Sequence, residues 1–69
     1  MKITWSKSDP YKSYESWEND YFRIVSRFET YVMYFVLCEV ETTSSDENFD
    51  KLVELANLLF ESNLVKPRN

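Results

Sequence analysis

The chain has 69 residues with Asp+Glu 12 against Lys+Arg 8, a net charge of −4, one cysteine, no histidine and no glycine. One cysteine excludes an internal disulfide, and a chain without histidine lacks the ligands of an ordinary structural zinc site. Without glycine there is no phosphate-cradling loop, dinucleotide fingerprint or nucleophile elbow; without histidine the commonest general base is missing, so composition points away from an enzyme, a cofactor and a metal.

The acidic balance also argues against direct nucleic-acid binding, which needs a basic face, and against an anionic membrane surface. The longest uninterrupted apolar run is Tyr31 to Cys38, far short of the ~20 residues of a membrane span. MKITWSKSDP at the start has no apolar stretch of leader length. A lone Cys38 fits a reducing compartment, so the expectation is a cytoplasmic protein of a bacterial or host cytosol. Residues 1–69 read as one small domain. A domain of this size buries only roughly 60% of its unfolded surface, so oligomerisation or a partner chain is the expected source of added stability.

Residues 1–8 form a short arm in which Ile3 and Trp5 alternate with Lys2 and Thr4. Ser8-Asp9-Pro10 is a good helix start, with Asp9 as cap and Pro10 in the first turn. From there an apolar residue recurs at alternating steps of three and four: Tyr14, Trp17, Tyr21, Ile24, Phe28, Tyr31, Phe35, Cys38. That spacing makes one seam along an α-helix and predicts a helix over about 10–41, ~48 Å long. Val25, Val32 and Val36 widen the seam, while Asn19, Asp20, Arg23, Ser26, Arg27 and Thr30 fall on the other side. Glu41 to Ser45 breaks the pattern. Ser44-Ser45-Asp46-Glu47 then reads as a capping box and predicts a second helix over about 45–63, with Glu47 and Lys51 as a supporting pair. Its apolar positions are Phe49, Leu52, Val53, Ala56, Leu59, Phe60 and Leu64. Residues 65–69 form a tail.

The fold expected from this pattern is all-α, an antiparallel helical hairpin that oligomerises. The alternative is α+β, a three-stranded antiparallel sheet plus the C-terminal helix. Its strands would lie at about 21–27 and 31–41, with the arm as the third, because this region is rich in Tyr, Phe, Val, Ile and Thr. Alternation fails at Tyr21-Phe22 and Ile24-Val25, and no strong turn former lies between Ser26 and Tyr31, so the helical reading is preferred.

In that hairpin the second helix covers the first only from about Phe22 onward. Tyr14, Trp17 and Tyr21 are left uncovered, and burying each large apolar side chain is worth ~1.5–3 kcal/mol. These residues, extended by Ile24 and Phe28, are the predicted partner-binding surface. The expected function is a small non-enzymatic protein-binding module: an adaptor, a chaperone-like subunit or an inhibitor. Its partner is another protein or a second copy. The alternative is an acidic inhibitor, virus-encoded or of the immunity type, that blocks a basic nucleic-acid-handling protein or a toxin. Among lesser features, Cys38 is expected to be buried and inert. Asp46, Glu47 and Asp50 are read as helix-start acids rather than a cation site. Arg23 and Arg27 are read as a solvated face paired with Asp20, Glu54 or Glu61, in preference to a grip on a phosphate or an acidic partner.

Overall fold

The computed structural model describes residues 3–8 and 15–68. Tyr14 and the helix start at Asp9-Pro10 fall outside that range. The elements are β1 (Ser6–Ser8), β2 (Ser16–Glu18), β3 (Arg23–Arg27), β4 (Thr30–Leu37), β5 (Val40–Asp46), α1 (Phe49–Glu61) and β6 (Val65–Lys66). The strands make one antiparallel sheet in the order β1-β2-β3-β4-β5, with β6 against the end of β4. The helical hairpin predicted from the seam is therefore not formed. What stands where the long helix was expected is β2, β3, β4 and the first turns of the meander into β5. The α+β alternative is closer, although the sheet has more strands than it proposed.

The reason lies in the meaning of a four-residue step. Residues four apart share a face in a strand as well as in a helix, so Tyr31 and Phe35 fit both patterns. The step from Ile24 to Phe28 ends on a turn rather than on the next helical turn. In β4, Tyr31, Met33, Phe35 and Leu37 lie on the side of the core. The intervening Val32, Tyr34 and Val36 are also apolar or aromatic, which hides the alternation that would have announced a strand.

The two turns need no glycine. Phe28-Glu29 joins Arg27 to Thr30, and Cys38-Glu39 joins Leu37 to Val40. Cys38 and Glu39 both take positive φ, 53° and 65°, the signature of a type I′ turn. At the other tip only Phe28 does, at 51°, which is the sign pattern of type II′. Cys38 consequently sits exposed on a turn, not buried as the sequence suggested.

The C-terminal helix exists but starts later than the capping box indicated, because β5 continues through Asp46. Asn48 is the N-cap, its side chain accepting from the Asp50 N–H. Asp46 accepts from the Asn48 N–H at 2.8 Å. Glu47 thus precedes the helix and cannot make a within-helix pair with Lys51. At the far end Asn63 adopts φ 55°. The N–H groups of Leu64 and Asn63 donate to the carbonyls of Leu59 and Phe60 at 3.2 and 3.1 Å, a Schellman closure with asparagine where glycine is usual.

The core lies between α1 and one sheet face. Phe22, Ile24, Met33 and Phe35 from the sheet meet Leu52 and Ala56 from the helix, and Val65 closes one end. The expected tail is therefore strand β6, pairing Leu37 with Val65 and Val36 with Lys66. The arm packs Ile3 and Trp5 against the core, and the Ile3 N–H donates to Asn57 Oδ1 at 3.3 Å. Because β5 and β6 both run antiparallel to β4, they are parallel to each other, and α1 crosses over β4 to connect them. No helix among the described residues is long and apolar enough to cross a membrane.

Candidate functional site

Alternate residues of a strand share a face, so β3 carries Arg23, Val25 and Arg27 on the side of the sheet away from α1. Tyr34 pairs with Arg23 from β4, and Glu18 pairs with it from β2. Beyond the end of β6, the Arg68 N–H donates to the Asp20 carbonyl at 2.8 Å, which brings Arg68 to the same region. Arg23, Val25, Arg27, Tyr34 and Arg68 line a cleft of about 720 Å³, bounded at one end by Phe28 and on the β5 side by Glu41. Arg27 and Phe28 also border a second depression, with Val32 and Glu47.

Arginine occurs in this chain only at positions 23, 27 and 68, and all of them line this one cleft. Among the described residues none of them forms an ion pair. Of the described lysines, Lys7 and Lys66 do, with Glu15 at 3.5 Å and Glu39 at 3.3 Å, while Lys51 does not. Among the described residues the Arg23 Nε is buried and has no hydrogen-bond partner. A buried donor left without an acceptor costs about 1–3 kcal/mol. The planar guanidinium presents two parallel donors that match a carboxylate or phosphate, a geometry lysine lacks. Arg23 and Arg27 are four residues apart along a strand, ~13 Å at the strand rise, which suits acidic groups spaced along an extended segment.

Phe28 at the lip of the cleft is fully exposed, 107% of its reference area. It combines a bulky side chain, a positive φ and no packing. Strained, exposed residues of this kind cluster at contact sites.

The residues predicted from the seam separate. Ile24 is wholly enclosed, at 0% exposure, and offers no surface to a partner. Trp17 rests on Phe49 with ring centroids 4.6 Å apart, and Tyr21 meets Phe60 edge-on at 5.1 Å. Both are half-buried at the rim of the helix-covered core, so α1 supplies the cover that the hairpin reading found lacking. The aromatic helix face is absent. Of the predicted set, Phe28 alone borders the cleft, and Tyr14 lies outside the described residues. The arginine pair was noticed on a helix; on a strand the same spacing also keeps both on one side. Arg68 and Tyr34 were missed. The available signal was compositional, arginine being used at so few positions. Among the described residues no group of three or more His, Cys, Asp or Glu is placed to hold a metal ion.

No protein-family model, curated protein or solved structure matches the chain.

Proposed function

We propose that the chain is a small non-enzymatic protein-binding module that grips an acidic, extended segment of a partner protein in the arginine cleft, with Phe28 as the apolar anchor. The observation that carries this reading is the gathering of every arginine of an acidic chain around one cleft, without an ion pair among the described residues. Arg27 is exposed, and Arg23 and Arg68 are half-buried. Glu18 and Glu41 stand near and form no ion pair with them. Exposed aromatics and arginines are the residue types that dominate interface energetics. A short acidic segment meets only the local positive field, whereas a long nucleic acid meets the net charge of −4 as well. The exposed free thiol of Cys38 supports a reducing, cytosolic setting.

The test is fluorescence anisotropy with a labelled oligoglutamate peptide, run beside labelled oligothymidylate. Expected are saturable binding of the peptide, weakening with salt, and a loss of about tenfold or more in Arg27→Ser and Arg68→Ser, since hydrogen bonds to charged groups are worth about 1.5–3 kcal/mol. Equal binding by the arginine variants, or tighter binding of the oligonucleotide, overturns the reading.

A further inference from the structure

The strand register fixes which backbone groups of β5 face outward. The two-residue turn at Cys38-Glu39 makes Leu37↔Val40 a pair that exchanges both hydrogen bonds. Phe35↔Thr42, Met33↔Ser44 and Tyr31↔Asp46 follow at every second position. The N–H and C=O groups of Glu41, Thr43 and Ser45 therefore point away from β4, along the outer edge of the sheet. Among the described residues nothing bonds to them.

The two sheet edges differ. β1 is short and carries Lys7, devices that discourage strand pairing. β5 is seven residues long, VETTSSD, with no lysine, no proline and no bulge in an unbroken register. An edge of this length, with Glu41 and Asp46 as its charges, is a template for another strand.

We propose that the occupant of this edge is β5 of a second copy, paired antiparallel about Thr43 to give a twofold dimer with one continuous sheet. Only registers that set outward residues opposite outward residues complete a ladder. Centring on Thr43 pairs Thr43 with itself and Glu41 with Ser45 in both directions, so all three outward residues of each copy are satisfied. Centring on Glu41 sets that carboxylate against its own copy, and centring on Ser44 sets Glu41 against Glu47; like charges directly opposite are destabilising. Centring on Thr42 shortens the overlap and puts Ser45 against the Glu39 turn. The Thr43 register alone sets every residue of β5 opposite a residue of the other β5 with no like-charge pair inside the strand, the approach of Glu39 to Glu47 lying beyond both strand ends, and threonine opposite threonine is a favourable cross-strand pair. The twofold axis is perpendicular to the sheet, so both arginine clefts open on the same surface. The two β3 strands are then five strand spacings apart, ~24 Å.

Sedimentation equilibrium of the intact chain tests this, from micromolar to near-millimolar protein. The wild type should dimerise reversibly, and more tightly at higher salt, because each copy carries net negative charge. Thr43→Pro, which removes an outward N–H that the fold itself does not use, and Thr43→Lys should each weaken the dimer at least tenfold. Circular dichroism reports whether each variant keeps its fold, and the lysine variant carries the test if the proline one does not. Register is read by oxidation in a Cys38→Ser background, where Thr43→Cys should cross-link to itself faster than Glu41→Cys. A wild type that stays monomeric overturns the proposal, and so would one whose edge pairs only with a different protein's strand. A dimer that survives both Thr43 variants, or Glu41→Cys cross-linking as fast as Thr43→Cys, overturns it as well.

Discussion

Replacing Phe28 by glycine should make the protein more stable while removing the anchor of its proposed interface. Phe28 holds φ at 51° and is fully exposed, so the substitution removes no packing. A positive φ costs an L-residue with a Cβ on the order of 1–2 kcal/mol. Glycine at the first central position of a II′ turn carries no such cost. Against that gain stands the greater freedom of glycine in the unfolded chain, about 0.5–1 kcal/mol. The net falls between about 0 and 1.5 kcal/mol of stabilisation, centred near 0.75. For a domain of this size, 1 kcal/mol moves the thermal midpoint by about 4–8 °C. Thermal unfolding followed by circular dichroism reads the shift. Phe28→Ala is the comparison, since it deletes the ring but keeps the Cβ that clashes. Glycine should exceed alanine, and both should lose affinity for the acidic peptide. A Phe28→Gly midpoint below that of Phe28→Ala would refute the strain argument. It would mean that the ring or its turn contributes to folding.

Other substitutions probe the framework. Leu52→Ala opens a cavity where α1 meets the sheet, at a side chain 2% exposed, and should cost about 2–5 kcal/mol in a denaturant titration. Asn48→Ala removes the N-cap acceptor for the Asp50 N–H and should cost about 1 kcal/mol, read the same way. The Cys38 thiol should react with a disulfide reagent in the native protein at nearly the rate seen in denaturant, because it is exposed on a turn. A slow native reaction would place it in the interior.

The C-terminal helix was legible in the sequence because Phe49, Leu52, Val53, Ala56 and Phe60 repeat over a span that no strand could sustain. Its N-terminus was misplaced because Ser44 and Ser45 satisfy a capping box and an exposed edge strand equally well. The meander was read as a helix for two physical reasons. Both faces of β3 and β4 carry apolar residues, which removes the period-two signal, and the turns at Phe28 and Cys38 use residues that rarely adopt positive φ. Local propensity at Phe28 argues against a turn; the pairing of Arg27 with Thr30 and the burial of Ile24 and Met33 on one face prevail over it. Phe28 was singled out for its aromatic character and does border the cleft. The arginines were seen as a pair, but their meeting with Arg68 depends on β6, and a two-residue strand after a helix leaves no periodicity to read.

That small strand ties the two sides of the sheet together. β6 is delivered by the helix that crosses over β4, and it hands the chain directly to Arg68 at the cleft. A carboxylate bound by Arg68 therefore also holds β6, and through it the end of α1, against the sheet. Binding and helix docking share one free-energy cycle: whatever loosens the helix weakens the grip on the anion by the same factor with which the anion tightens the helix. A Leu52→Ala chain should thus recover more of its lost stability on adding acidic peptide than an Arg68→Ser, Leu52→Ala chain does. With the cleft binding as proposed, the crossover would make the helix, which does not line the cleft, a determinant of its affinity.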